Sequence, residues 1–369
     1  MALLTQQRSG LEKICESHDK AVCLIDSTGS VIQLFSYSVK NVAFGFLLHG
    51  NNPGFPNTML IKFLKYSFSK QGRKSMKYWF ARNVANPILR PCGYTLITDH
   101  FYQPIPNRQE LLVYEACERP LGSLRLNSEA QKSQTARLLS KYSEEHGDAE
   151  KISYFGYVRK NSAFGSGDAE FLYSMVREAK PRKVIEIGSG SSTLITGAAL
   201  RQNHFEDDST AKLISIEPFP QPFLTELASK AKDCFEYEMI NTRVQDVDLK
   251  LFDLLEANDI LFVDSSHVFK QGSDVEFEFL SVYPRLKKGV FVHIHDIFFP
   301  HDYPLDWNAK EHRFWNEQYH LETFLQFNNR FEVISSLSAV CHHDKSVFSS
   351  NIKNFDEGRK PGSFWMVSI

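Results

Sequence analysis

The sequence predicts an α/β protein whose main domain is a doubly wound sheet of seven strands, with an antiparallel pair of strands at its C-terminal end and an N-terminal extension before it. From about residue 150, short apolar runs rich in β-branched residues alternate with helical stretches. This is the pattern of a parallel sheet with helices on both faces. A glycine-containing turn follows the first run and opens a helix. No helix is predicted between the last two runs, so we expect them to pair antiparallel at one edge.

The individual elements follow from local patterns. Residues 126–147 are predicted as a helix that ends at Gly147, and residues 167–180 as a helix with one apolar face. Residues 330–340 and 363–369 are predicted as the last two strands, joined by a loop. The short apolar runs before them are predicted as buried parallel strands: 183–188, 212–218, 259–266 and 289–297.

Charge and composition divide the chain into three predicted parts: a basic N-terminal extension at 1–95, a helical linker or cap at 96–150, and the main domain at 151–369. Between Asp26 and Asp99 the chain has nine lysines or arginines and no acidic residue. Aromatic residues are interleaved with these bases in residues 61–84. This segment could lie on an anionic membrane surface, contact nucleic acid or an acidic partner, or form a solvated helix packed on the main domain.

The overall composition is that of a globular protein, since 42% of the 369 residues are hydrophobic and 13% are aromatic. The net charge of −2 identifies no partner. The six cysteines form no C-x-x-C pair, which indicates reduced thiols rather than disulfides or a zinc site. No apolar run approaches the roughly 20 residues of a spanning helix, and the first residues lack a secretory signal. We therefore predict a cytoplasmic protein, with peripheral membrane contact through residues 61–84 as an open alternative.

The turn after the first strand has the composition of a nucleotide-binding loop. Gly188 and Gly190 allow a tight turn and close approach of a ligand to the backbone, and Glu217 ends the next strand, where it could hold ribose hydroxyls. A dinucleotide site favours a small third residue, but Thr193 stands there. Glu186 would repel a diphosphate and attract a cation. The loop therefore favours S-adenosylmethionine, which carries a sulfonium and no phosphate, over NAD.

The chain resembles the class I S-adenosylmethionine-dependent methyltransferases of polysaccharide and small-molecule tailoring clusters, with a Rossmann-like fold. The resemblance covers roughly residues 95–369. It rests on ordered motifs, among them KVIEIGSGSST (183–193), ISIEPFP (214–220), NDILFVDSSHVFKQGSDV (258–275) and RLKKGVFVHIHDIFFPHDYP (285–304). It implies that the methionine part of the cofactor is bound by Glu186, Gly188, Ser189 and Gly190. It also implies that Glu217 holds the ribose and that Gln245 and Asp246 border the adenine. Asp264, at the end of the strand that follows, completes the implied set of cofactor-binding residues.

Polar residues end the two strands next to this loop. DSSH (264–267) and HIHD (293–296) both lie at the carboxyl edge of the predicted sheet, where open α/β sheets bind ligands. Strand alternation sends His293 and His295 to one face and Asp296 to the other, so His295 and Asp296 converge only if the strand ends between them. Since FFPHDYP follows, we expect the strand to end there.

A comparison with the metal-dependent catechol-type O-methyltransferases leaves the use of a metal open. Asp264 matches their aspartate, and His267 stands where they have a lysine base. His295 and Asp296 stand where they have an Asp–Asn pair. Asp264, His295 and Asp296 could thus hold a divalent metal. However, Mg²⁺ prefers oxygen ligands, whereas imidazole suits zinc, manganese or iron.

A reaction without a metal needs only a general base. His267 and His295 are the candidates, with Asp264 or Asp296 as the orienting carboxylate, because a histidine with a pKa near its usual ~6.5 can accept a hydroxyl proton at neutral pH. Asp296 is included in the catalytic set with both histidines. Aromatic and polar residues after the strand at 289–297 are predicted to cover the acceptor: His301, Asp302, Tyr303, Trp307, Arg313 and Trp315.

The leading hypothesis is therefore O-methylation of a small polar or sugar-type acceptor with S-adenosylmethionine as donor. Two alternatives stay open at this point. One is an oxidoreductase on the same fold, dependent on NAD or on a metal and oxygen. The other is a non-catalytic binding module anchored through the basic N-terminal region. The oligomeric state is not predicted.

Overall fold

The chain separates into two compact units, Met1–Gln103 and Pro104–Ile369. The computed structural model describes only the backbone of residues 21–25, 31–39 and 42–48. It describes both backbone and side chains over most of the remainder: 77–97, 103–106, 118–122, 124, 126, 129–161 and 163–369, with the backbone of residue 128. The predicted domain boundaries at 95 and 150 stay predictions.

The first unit contains a three-stranded antiparallel sheet in the order β1-β2-β3: Ala21–Ile25, Val31–Val39 and Val42–Leu48. A helical segment, α1, spans residues 77–92 and ends at Gly93, whose φ of 83° is the left-handed conformation that glycine adopts readily. Most of the basic segment 61–84 lies outside the described residues. Its proposed contact with lipid, nucleic acid or an acidic partner is therefore still a prediction.

The second unit is built on a seven-stranded sheet, counted over the described residues, in the order β6-β5-β4-β7-β8-β10-β9. The neighbours from β6 to β8 are parallel, and β10 is antiparallel to both β8 and β9. This confirms the predicted doubly wound sheet with its antiparallel C-terminal strands. The strands are β4 Lys183–Ile187, β5 Ala211–Ile216, β6 Phe235–Ile240, β7 Ile260–Val263, β8 Phe291–Ile294, β9 Phe331–Ser336 and β10 Phe364–Ser368.

The strand β6 was absent from the sequence-based assignment because it lies at the edge of the sheet and carries charge. Glu236 and Glu238 point to solvent and pair with Lys212 of β5 at 2.6 and 2.8 Å. Alternating charged side chains hide an edge strand from a search for continuous apolar runs.

Helices cover both faces of the sheet. The predicted helix at 126–147 is two helices, α2 and α3, which are interrupted at Tyr142. The helices are α2 Ser128–Lys141, α3 Ser143–Gly147, α4 Ala149–Ile152, α5 Asp168–Ala179, α6 Ser191–Asp207, α7 Phe223–Ala231, α8 Asp274–Phe277, α9 Leu305–Ala309, α10 Glu317–Gln326, α11 Leu337–His343 and α12 Ser346–Ser349. A π-helical turn, Glu278–Val282, continues α8. Within the part of the chain that the structure describes, no helix is long and apolar enough to cross a bilayer.

The connection between the last two strands corrects the prediction. Residues 337–340 were predicted to continue the strand, but β9 ends at Ser336 and the helices α11 and α12 follow. The ladder stops because Phe364, the first residue of β10, already pairs with Ser336. A longer strand would leave its backbone groups without partners, whereas a helix satisfies them internally.

The core forms two apolar layers, one on each face of the sheet. Alternation along β7 sends Ile260 and Phe262 into one layer and Leu261 and Val263 into the other. All four side chains are fully buried. Because full burial of such a side chain stabilises the fold by about 1.5–3 kcal/mol, the central strands hold the carboxyl edge of the sheet in a fixed position.

Candidate functional site

The glycine turn after β4 packs directly against the end of β7. Gly188 has a φ of 82°, and its N–H donates to the carbonyl of Ile216 at 3.0 Å. A Cβ at this position would overlap the backbone carbonyl oxygen of Asp264. A Cβ on Gly190, by contrast, would meet no atom of the described residues within 4 Å. Gly188 is therefore required by the fold, and Gly190 borders open space that a ligand could occupy.

Glu186 supports this turn from inside the protein. Its carboxylate accepts hydrogen bonds from the hydroxyls of Ser192 at 2.7 Å, Thr193 at 2.7 Å and Ser215 at 2.9 Å. The side chain is buried, and this burial raises its pKa to about 7 despite the three hydroxyl donors. The resemblance implied that Glu186 lines the methionine part of the cofactor. In the structure, it braces the first turn of α6, and its role at the cofactor stays a prediction.

The pKa of Glu186 leads to a prediction about stability. Folding raises this pKa from 4.5 to about 7. The stability that the protonated Glu186 contributes is therefore fully present below pH 4.5 and is lost as the pH rises through 7. Glu186→Gln mimics the protonated form, and removes this loss. We expect urea unfolding to show equal or lower stability for the variant at pH 5. Between pH 5 and pH 8, the free energy of unfolding of the variant should rise relative to that of wild type by roughly 2–3 kcal/mol. A difference between variant and wild type that is independent of pH would contradict the assignment.

Glu217 follows β5 and holds the same turn from the outside. Its carboxylate accepts hydrogen bonds from the backbone N–H of Ser189 at 3.2 Å and of Phe219 at 2.7 Å. The hydroxyl of Ser189 is buried and has no hydrogen-bond partner among the described residues. Since buried polar groups are normally hydrogen-bonded, this hydroxyl is available to a ligand in the turn.

The two residues predicted to border adenine lie together on a short 3₁₀ turn, Val244–Asp246. The side-chain amide of Gln245 donates to the carbonyl of Gly272 at 3.1 Å. Asp246 is exposed and forms a two-pronged ion pair with Arg243 at 2.8 and 3.0 Å, which lowers the pKa of its carboxyl. Their role at adenine stays a prediction.

His267 is the centre of a buried cluster at the end of β7. Its Nδ1 donates to Glu317 Oε2 at 2.8 Å, and its Nε2 lies 3.2 Å from Asp264 Oδ1 and 3.9 Å from Asp296 Oδ2. Burial alone would lower the pKa of His267, but the hydrogen bonds to Asp264 and Glu317 raise it well above 6.5. The ring is therefore an imidazolium at neutral pH. The sequence-based expectation of an ordinary histidine pKa is wrong, because three carboxylates surround the ring.

Glu317 was not identified from the sequence. It is the first residue of α10, fifty positions after His267, and its side chain is fully buried. The backbone N–H groups of Asn316 and Glu317 donate to the carbonyl of His267 at 3.0 and 3.2 Å. These bonds fix the start of α10 against the end of β7, so that the carboxylate meets the imidazole.

A second buried carboxyl, Glu278, lies behind this pair. Ser265 donates to it at 3.3 Å, and its other oxygen has no partner among the described residues. Burial and the neighbouring Glu317 raise the pKa of Glu278 well above 4.5, so it is protonated at neutral pH. Burial also raises the pKa of Glu317, although its hydrogen bond with His267 opposes this shift.

The histidines of β8 have different environments. His293 stacks on Phe262 with ring centroids 4.0 Å apart and contacts the hydroxyl of Ser363 at 2.9 Å. Burial lowers its pKa well below 6.5, so it is a neutral core residue. Burial also acts on His295, but Asp296 and Asp264 outweigh it and raise the pKa of that ring.

The strand ends one residue earlier than the alternation argument required. β8 stops at Ile294, and Asp296 has a φ of 54°, a left-handed turn that brings its carboxylate back toward the same face. His295 Nε2 lies 3.7 Å from Asp296 Oδ1. His295 and Asp296 thus converge with Asp264 and His267, although they leave the strand in opposite directions.

The three residues predicted to bind a metal are not closely grouped. Asp264, His295 and Asp296 do not form a set of ligand atoms that all lie within 4.8 Å of one another. Among the residues with described side chains, such a set is formed by Glu118, His301 and His342. The carboxylates of Asp264 and Asp296 lie 3.2 and 3.9 Å from Nε2 of His267, and the use of a metal by Asp264, His295 and Asp296 stays a prediction. The reaction proposed below is written without a metal.

A cavity of about 490 Å³ lies beside the cluster. Trp315 separates the two, since its ring lines the cavity and its centroid lies 4.3 Å from that of His267. Trp307 and Arg313, also predicted to cover the acceptor, stack on each other at 4.8 Å. The other lining residues are mostly aromatic or polar: Pro104, Pro106, Arg119, Phe298, His301, Asp302, Tyr303, Pro304, Leu305, Asn308, Phe314, Asn316, Tyr319, Ser338 and Lys360.

Comparison with known proteins finds similarity to methyltransferases over part of the chain. Residues 185–297 match a family model described as a methyltransferase domain. An uncharacterised protein of Archaeoglobus fulgidus is 29% identical over 180 residues, which cover 46% of this chain and 77% of that protein. Among solved structures, the SAH-bound methyltransferase of Podospora anserina is similar at 18% identity and a TM-score of 0.39, over 67% of this chain and 99% of that one. A methyltransferase-like protein of Thermobifida fusca is similar at 13% identity and a TM-score of 0.35, over 65% and 93%.

The family match covers the glycine turn, Glu217, Asp264 and the end of β8. The sheet order around these residues is that of the predicted doubly wound fold, with the last strand inserted antiparallel. Residues 185–297 are therefore similar to a methyltransferase domain, and the sheet that carries them has the doubly wound order predicted from the sequence.

Proposed function

We propose that this methyltransferase transfers the methyl group of S-adenosylmethionine to a hydroxyl oxygen of a small polar or sugar-type acceptor. The observation that supports this most directly is the position of Asp264. Its backbone carbonyl packs on Gly188 of the donor turn, and its carboxylate contacts His267 of the buried cluster. One residue therefore links the region expected to hold the donor with the groups able to act on an acceptor.

The donor region suits a cation with a ribose. The pKa of Asp264 is about 2, because His295 and His267 outweigh the effect of burial, so this carboxylate is charged at neutral pH. A carboxylate beside the turn favours a sulfonium over a diphosphate. Gly190 leaves space for the ligand, and Ser189 offers an unpartnered hydroxyl.

The acceptor chemistry requires a proton to leave as the methyl group arrives. The acceptor oxygen forms a bond to the methyl carbon, the bond from carbon to sulfur breaks, and the electron pair stays on sulfur to give S-adenosylhomocysteine. The hydroxyl proton passes to Nε2 of His267 once that ring has lost its resting proton to solvent. Glu317 holds the Nδ1 proton and fixes the orientation of the ring. A base of this kind works best above the ordinary histidine range.

The cavity supports a ring-bearing acceptor. Phe298, Tyr303, Phe314, Trp315 and Tyr319 line it. Aromatic side chains stack well on sugar or aromatic rings, and the polar residues between them can fix hydroxyl groups. Trp315 touches both the cavity and His267, so its ring lies between an acceptor in the cavity and the imidazole.

The donor half of the proposal is tested by calorimetric titration with S-adenosylhomocysteine. We expect the wild-type protein to bind it and Gly190→Arg to lose binding, because the arginine fills the open space at the turn. Ser229→Arg, on the exposed surface of α7, adds the same side chain away from the site and should bind like wild type. Urea unfolding checks that each variant is folded. Lack of binding by wild type, or unchanged binding by Gly190→Arg, would rule out this donor site.

A further inference from the structure

Three side chains from separate parts of the second unit meet at the rim of the cavity. Glu118 precedes the helical part of this unit, His301 follows β8, and His342 lies in the last turn of α11. Their ligand atoms all lie within 4.8 Å of one another. His342 Nε2 contacts Glu118 Oε1 at 2.6 Å, and the rings of His301 and His342 lie 4.6 Å apart with an angle of 80° between them.

The backbone holds this group in place. Glu118 and His301 form an antiparallel β-bridge, and the N–H of Arg119 donates to the carbonyl of Pro300 at 2.9 Å. The side-chain amide of Gln318 donates to the carbonyl of His301 at 3.2 Å. Two of the three ligand positions are thus fixed relative to each other by main-chain hydrogen bonds, which limits the entropy lost when an ion binds.

The group also remains accessible from solvent. The side chain of Glu118 is 59% exposed and that of His342 is 34% exposed. An ion can therefore reach the group without opening the core. The exposed glutamate can also adjust its rotamer to close the distances around a bound ion.

The chemistry of the ligands selects the ion. Two imidazoles and one carboxylate are a ligand set that zinc accepts, whereas Mg²⁺ and Ca²⁺ prefer oxygen ligands alone. Ligands at about 2.0–2.2 Å from a tetrahedral zinc ion lie roughly 3.5 Å from one another, so small side-chain rotations are sufficient. Three protein ligands leave the fourth position of the tetrahedron free.

We propose that Glu118, His301 and His342 form a zinc-binding site at the rim of the cavity. The fourth position takes a water molecule or an oxygen atom of a ligand, because His301 is itself part of the cavity wall. This site is separate from Asp264, His295 and Asp296, and it does not depend on the proposed methyl transfer. The ion would tie α11 to the loop after β8 and so hold that side of the cavity together.

Zinc titration of the full-length protein, in competition with a chromophoric chelator, tests the site. We expect wild type to bind zinc, and His342→Ala and His301→Ala each to weaken this binding by at least about 10-fold, as loss of a direct ligand should cost no less than loss of a supporting partner. His343→Ala is the matched control, since this exposed histidine is adjacent in sequence and lies outside the group. It should keep wild-type affinity.

Thermal unfolding separates loss of a ligand from loss of the fold. Without metal, His342→Ala and wild type should melt at similar temperatures; with zinc, the melting temperature should rise for wild type and His343→Ala but not for His342→Ala. If His342→Ala misfolds, Glu118→Gln, which keeps the shape of an exposed side chain, takes its place. Wild type that binds no zinc, or variants in the group that bind it as tightly as His343→Ala, would overturn the proposal.

Discussion

Replacing Gly188 by alanine is expected to destabilise the second unit by roughly 2–5 kcal/mol. The left-handed φ of 82° costs an L-residue roughly 1–2 kcal/mol. The added Cβ also overlaps the backbone carbonyl oxygen of Asp264, which no side-chain rotation can relieve, and such overpacking typically costs a further 1–3 kcal/mol. Because Asp264 carries the carboxylate that contacts His267, the substitution should also disrupt the cluster.

The variant Gly272→Ala separates the conformational cost of a left-handed residue from the cost of steric overlap. Gly272 has a similar φ of 73°, but a Cβ there would meet no atom within 4 Å in the part of the chain that the structure describes. Only the conformational cost of roughly 1–2 kcal/mol is therefore expected. Urea unfolding followed by circular dichroism measures both variants. Equal losses for Gly188→Ala and Gly272→Ala would mean that the turn does not press on the end of β7.

Replacing His267 by alanine is expected to reduce methyl transfer about 10²–10⁴-fold while the donor still binds, since this is the usual effect of removing a general base. Turnover is measured with labelled S-adenosylmethionine and an acceptor selected from a panel of hydroxylated aromatic compounds and sugars. Asp296→Ala is also expected to lower turnover. His320→Ala is a matched control, because this histidine stacks on Phe269 and lies outside the cluster.

The pH profile distinguishes a base from a structural residue. Since Glu317 and Asp264 raise the pKa of His267 well above 6.5, the ring is protonated and inactive at low pH. kcat/KM should therefore increase with pH through a range above that of a free histidine. Glu317→Gln removes one of the carboxylates that raise this pKa, so the rise should move to lower pH. Wild-type turnover by His267→Ala, or a profile that Glu317→Gln leaves in place, would exclude His267 as the base.

The part of the site that the sequence could predict is the part built from strand ends. Because parallel strands end at one edge, Asp264, His267, His295 and Asp296 were expected to converge, and they lie together in the structure. The glycine turn was equally clear, since it directly follows an apolar strand. These features depend on patterns within about ten residues.

The remaining features depend on tertiary contacts. Glu317 reaches His267 across fifty positions, and nothing in the local sequence marks it as buried. The raised pKa of His267 follows from that contact, so it could not be predicted either. The group of Glu118, His301 and His342 joins three distant segments, which explains why His342 had no assigned role.

The position of β10 has a consequence for how the protein is made. This strand is the last of the seven along the chain, yet it lies between β8 and β9. On the ribosome, β8 must therefore wait with one edge unpaired until Phe364–Ser368 emerges. Gly362 and Ser363, just before it, donate their N–H groups to the buried Asp168 at 3.0 and 2.8 Å, and Gly362 also packs on Asp296. The nascent chain thus holds an open, aggregation-prone edge until β10 emerges, and its site is completed only when that strand is inserted.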